Sequence, residues 1–228
     1  MAVTHTKLEI MNNALRMVGS YHLESDDTTS ATYEIATRAF TDAVNSVFAD
    51  NIFQYNTKRF YSTGTATSTL NEEDRLTWDY RHVIPDDYNL FLKVTNKEGD
   101  TLLNWTLDGS DSSPYDDVPY LYTTEEKVQI YYTFIPDLNN ESGVSHGNNP
   151  ARMPAFLVRL VALHMAQNMC IELSGSENRH EILYKQYTMA LRRARVLEGR
   201  SSPAQQYIHD GNSSFINSHR YYDNYGSI

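Results

Sequence analysis

The feature that most constrains this chain is a change of hydrophobic period. From Thr6 to Asn51 apolar residues recur at helical spacing, from Phe53 to Ile135 they alternate, and from Met153 to Glu198 the helical spacing returns. A repeat near 3.6 buries one side of a helix, and a repeat of two buries one face of a strand. The order is therefore helices, then strands, then helices.

The first helix is expected from Thr6 to Val18, with Leu8, Met11, Leu15 and Val18 in register and Gly19 placed to end it. The second is expected from Ser30 to Asn51. Tyr33, Ala36, Phe40, Val44, Val47 and Phe48 form its stripe, and "ESDDTTS" ahead of it offers capping oxygens and acids. In the alternating region, "VQIYYTFI" places Val128, Ile130, Tyr132 and Phe134 on one face, and "YNLFLKV" places Leu90, Leu92 and Val94 together. "VTNKEGDTLLNW" reads as a hairpin around a glycine-bearing turn, and "NIFQYNTKRFYS" as the leading strand. "STGTATSTLNEED" and "TLDGSDSSPYDDV" read as mobile surface loops.

A third helix is expected from Met153 to Leu173. Phe156, Leu160, Leu163, Cys170 and Leu173 face one way, while Leu157, Val161, Met165 and Met169 face nearly another. Such a helix lies in a core or at a subunit interface. We single out Phe156, Leu160, Leu163 and Met169 for that role. After "SGSEN", with Ser176 as N-cap, the fourth helix is expected from Glu177 to Glu198. Gly199 should stop it and Pro203 prevent its resumption. The fold class is thus α+β: a four-helix antiparallel bundle with an inserted, small, mostly antiparallel β-module and an extended C-terminal tail. The expected parts are residues 1–52, a helix pair; 53–136, the β-module; 150–199, a helical hairpin; and 200–228, the tail.

Charge is unevenly spread. Residues 1–150 hold 10 Lys/Arg and 23 Asp/Glu, net −13, whereas residues 151–228 hold 9 and 6, net +3. An acidic body argues against ordinary nucleic-acid binding, which needs a basic face. The single cysteine, Cys170, excludes an internal disulfide framework and fits a buried structural thiol. No basic start followed by an apolar segment opens the chain, so no secretory leader is expected. "FLVRLVALHMAQNMCIEL" is broken by Arg159, His164, Gln167 and Asn168, so no bilayer span is expected.

Chemistry-bearing motifs are sparse. P-loop, GxGxxG, HExxH, GxSxG and CxxC patterns are missing from the sequence. Glu177 and His180 have the ExxH spacing of a di-iron ligand, but the chain offers no second ExxH. Asp108 to Asp117 gathers carboxylates without EF-hand order and reads as a solvated loop. His164, among apolar neighbours, reads as a hydrogen-bonded core or interface residue. The paired acids Asp86/Asp87 and Asp116/Asp117 are the best available for a hydrolytic or carbohydrate-binding β-module. Adjacent strand residues point to opposite faces, however, which makes them poor acid/base partners. No catalytic residue, metal or cofactor is expected. Arg192, Arg193, Arg195 and Arg200 cluster near the end of the fourth helix. They either complement the helix dipole or form a docking patch for an acidic partner or a phosphate.

The order and spacing of four stretches resemble the head-to-tail adaptors of short-tailed bacteriophages, of the tail tubular protein A type. These are "LEIMNNALRMVGS" with "RAFTDAVNSVFADNIFQYNTKR"; "VIPDDYNLFLKV"; "VQIYYTFIPDLNNES"; and "MPAFLVRLVALHMAQNMCIELSGSENRHEILYKQYTMALRRARVLEG". The resemblance implies a structural virion protein, not an enzyme. It would form a ring, twelve-fold in this family, between portal protein and tail nozzle. The virion's DNA passes through without specific binding, and tail fibres are a further candidate partner. It also implies assembly in the host cytoplasm and no membrane partner. In such adaptors the C-terminal extension reaches into the portal. Here that extension, residues 200–228, carries Phe215, Ile216, Tyr221, Tyr222 and Tyr225. A head-completion or fibre-attachment subunit is the alternative within the same class.

Overall fold

A computed structural model describes residues 5–24, 28–67, 78–102, 104–108, 120–138 and 153–201. These residues form a mixed α+β structure with four helices and two antiparallel sheets. The helices are α1 (Lys7–Val18), α2 (Ala31–Ala49), α3 (Ala155–Ser174) and α4 (Glu177–Ser201). The strands are β1 (Thr57–Thr63), β2 (Thr65–Ala66), β3 (Tyr80–Val83), β4 (Tyr88–Asn96), β5 (Trp105–Asp108), β6 (Tyr120–Thr123) and β7 (Lys127–Phe134). The C-terminal residues Phe215, Ile216, Tyr221, Tyr222 and Tyr225 lie outside the described residues, as does most of the two polar loops.

Local chemistry sets the helix ends. At α1 a capping box closes, with Glu9 N donating to Thr6 Oγ1 at 3.1 Å and Thr6 N to Glu9 Oε2 at 3.0 Å. Gly19 ends α1 at φ +84°, a left-handed conformation that glycine enters without a Cβ penalty. The Arg179 guanidinium of α4 donates to the carbonyl of Val18, and a Cβ on Gly19 would collide with that guanidinium. Ser30 caps α2 by accepting from Tyr33 N at 3.1 Å. Gly175 turns the chain between α3 and α4. Gly199, by contrast, does not stop α4, which continues to Ser201. A glycine ends a helix by turning left-handed, and Gly199 keeps a right-handed helical backbone at a cost of about 1 kcal/mol relative to alanine.

The helices pack around α3. It touches α1, α2 and α4, whereas α1 and α2 barely meet. Leu157, Leu160, Val161, Leu163, Met165, Ala166 and Met169 are all buried, on every side of the helix. Ile10, Leu15, Phe40, Val47 and Phe48 complete this core from α1 and α2. Burying each large apolar side chain contributes about 1.5–3 kcal/mol.

The β region is two sheets rather than one. β1, β7 and β4 form the first, and β2, β3, β6 and β5 the second. β1 passes into β2 at Gly64, and a Cβ there would stand 2.8 Å from the His82 ring. The hairpin after β4 closes at Gly99 (φ +99°) with one bridge, Thr95 to Thr101; the chain then leaves for the second sheet as β5. In β7 the expected face is the buried one: Val128, Ile130, Tyr132 and Phe134. In β4 the simple alternation fails. Register shifts fall between Tyr88 and Leu90 and between Phe91 and Lys93, so Phe91 and Val94 are the buried pair while Leu90 and Leu92 are half-buried. An extra residue in a bulge moves the side chains beyond it to the opposite face.

Helices and sheets meet at a polar joint. Asn56 is fully buried in the short 3-10 turn Gln54–Asn56. Its side chain donates to the carbonyls of Phe48 at 3.0 Å and Asn51 at 3.2 Å, and accepts from Phe53 N at 2.8 Å. Asn89 reaches from β4 to the carbonyl of Ala49.

His82 is buried between the sheets. Its Nε2 lies 3.0 Å from the carbonyl of Glu125, which only accepts, so Nε2 carries the hydrogen. In the neutral ring Nδ1 then accepts from Ser62 Oγ at 3.2 Å. Burial lowers the pKa of His82, with the Glu125 carbonyl pulling weakly the other way. Burial also lowers that of His164, against Asp50 and Asp42. Both rings therefore protonate more readily in the unfolded chain, whose histidines titrate near 6.5. Above that value these groups leave stability independent of pH. Below it the unfolded chain takes up protons first, and stability falls by up to about 1.4 kcal/mol per pH unit per histidine. Urea unfolding followed between about pH 7 and 5.5 should show this decline, and the His82→Gln/His164→Gln variant should flatten it. An unchanged slope in that variant would contradict the assignment.

Candidate functional site

The arginine cluster divides by function once folded. Arg195, although exposed, serves the fold: its Nη2 donates to Asn51 Oδ1 at 2.9 Å, tying α4 to the end of α2. One turn on, Glu198 is buried and its Oε1 accepts from Gln54 N. α4 thus grips the polar joint with two side chains. Arg192 and Arg193 are exposed. Arg200 lies within α4, but its side chain falls outside the described residues.

Beside Arg193 the α3–α4 hairpin opens into a solvent-facing groove of about 380 Å3. Phe156 and Arg159 line it from α3, and Met189, Ala190, Arg193, Ala194 and Leu197 from α4. Small side chains, Ala155, Ala190 and Ala194, form part of its lining. Of the four apolar residues singled out on the third helix, Leu160, Leu163 and Met169 are buried in the core; Phe156 is half-buried at the groove. At the groove and beyond it α4 presents Ile182, Met189 and Val196, 48%, 62% and 54% exposed, with Met189 at the groove itself. Positions seven apart are nearly two turns apart, so these three share a face.

The remaining candidates do not converge on one place. Glu177 is exposed and His180 half-buried in the first turn of α4. Among the described residues, no group of three or more His, Cys, Asp or Glu side chains is placed to hold a metal ion. The Asp87 carboxylate is engaged on both oxygens, accepting from Tyr132 Oη at 3.0 Å and from Lys58 Nζ at 2.6 Å. Asp86 beside it is exposed, and Asp116 and Asp117 lie outside the described residues. His164 packs edge-on against the Tyr187 ring at 4.8 Å, with Asn168 Nδ2 3.3 Å from its Nδ1. Cys170 is fully buried beside Ser174 Oγ. By length and apolar composition alone α3 could cross a membrane, and it is the helix that the other three cover.

Sequence reasoning missed Arg159 and Met189 at the groove, His82 between the sheets, and Glu198 at the joint. Arg159 carried a signal, as the single Lys or Arg in the apolar run of the third helix. The two roles in the arginine cluster separate by stability. Arg195→Ala should cost about 1 kcal/mol, because the bond to buried Asn51 is lost. Arg193→Ala should stay within about 0.5 kcal/mol of the parent in urea unfolding. Equal losses would contradict this division. No family model matches the chain, and no curated protein matches it either.

Proposed function

We propose that the chain is a head-to-tail adaptor of a short-tailed bacteriophage, of the tail tubular protein A type. In this reading it is a structural virion protein whose copies, twelve in this family, form a ring between portal and tail nozzle. The observation that carries the reading is the order of its parts. A helix pair, a β-module and a second helix pair follow one another, and the β-module leaves the helices through the joint at Asn51 and Asn56. That arrangement suits a ring wall bearing an outward platform. The four helices would act as an antiparallel bundle in the wall, and the β-module would face nozzle or fibres.

Charge supports the same reading. An acidic body, net −13 over residues 1–150, repels DNA phosphates and would keep a passing genome mobile in the channel. The genome would pass without specific contacts, and the ring would sit at the portal vertex after assembly in the host cytoplasm.

Residues 202–228, beyond the end of α4, would form an extended tail that orders on the portal. Phe215, Ile216, Tyr221, Tyr222 and Tyr225 supply apolar bodies, and four of the five are aromatic. Ordering costs roughly 1–2 kcal/mol per residue. Buried aromatic groups at roughly 1.5–3 kcal/mol each offset part of this, and multiplicity around a ring adds avidity. The test is binding of the full chain, and of a chain lacking residues 203–228, to immobilised portal rings of the same virus. The full chain should bind and the shortened one should not, with the circular dichroism of both alike. Undiminished binding by the shortened chain would sink the tail assignment.

A further inference from the structure

We infer that the α3–α4 groove and the exposed line on α4 are a contact between copies of this chain, filled by the acidic surface of the next copy's first 150 residues. The inference rests on the ring reading and names the surface by which the ring would close.

Three observations carry it. First, Met189 and Val196 are more than half exposed and share a face with Ile182, while Phe156 stands half-buried at the groove beside them. Among the helices α4 leans chiefly on α3, so this face has no helical neighbour within the described residues.

Second, the groove is cationic. Arg159 lines it from α3 and Arg193 from α4, and from Ile182 to Leu197 the sequence of α4 contains no acid. Of the acids on either side, Glu181 pairs with Lys185 at 2.6 Å and Glu198 is buried against Gln54. The helix dipole accounts for the arginines near the end of α4. It does not account for Arg159, which is exposed near the start of α3, far from that helix's C-terminus. Nor does it account for methionine and valine left in water.

Third, the complement lies in the chain itself, net −13 over residues 1–150 against +3 over residues 151–228. A basic face on one copy and an acidic face on another are unlike surfaces. Such a contact is heterologous: it propagates head to tail and closes into a ring when the rotation permits.

The experiment uses the full chain, by sedimentation velocity alone at low and high salt and by loading onto portal rings. The variants are Arg159→Glu/Arg193→Glu and Met189→Asp, all at solvent-facing positions. Circular dichroism and the thermal midpoint should match the parent. The parent should associate in at least one setting, more weakly as salt rises. Each variant should associate about tenfold more weakly or worse. Variants that associate like the parent would overturn the inference and leave the ring reading standing. A parent that associates in neither setting would overturn the ring reading itself, and the inference with it.

Discussion

Burial of α3 is the constraint on which the rest depends. Its side chains are apolar on nearly every side, so it cannot lie on a surface of its own accord. α1 and α2 cover part of it and α4 another part. Because α1 and α2 scarcely touch one another, each is held by α3 rather than by its neighbour in sequence. The β-region is therefore confined: it must leave after α2 and return before α3 without pulling the helices apart.

That demand explains the polar joint. Hydrophobic contact is not directional, and it would leave the angle between helices and sheets poorly fixed. Asn56 is directional, because one buried amide fixes three backbone groups around the turn into β1. Arg195 and Glu198 bring α4 to the same place, so both helix pairs meet at one hydrogen-bonded corner. In the proposed adaptor such a corner would let force on the sheets reach the helices.

The helices were legible because their signals are local. Leu8, Met11 and Leu15 repeat at helical spacing, and Gly19 and Gly175 sit where left-handed turns are needed. The face of β7 was legible for the same reason. The bulges of β4 were not, since Phe91 and Val94 share a face only through register with Tyr132 and Ile130. The passage from one sheet to the other at Gly64 depends on how closely His82 approaches, and His82 lies in a strand far along the sequence. The groove was hidden likewise, because Arg159 and Arg193 come to line one groove only when the α3–α4 hairpin closes. The arginine cluster was visible as composition, but which member reaches Asn51 and which lines the groove is decided by helical phase.

As the proposed adaptor, this chain would work as one of many copies on a portal. The most direct test is native mass spectrometry of portal rings mixed with excess chain. The account predicts one discrete complex carrying about twelve copies per ring, with few partly loaded species. Portal rings that keep their own mass at every excess of chain would contradict it.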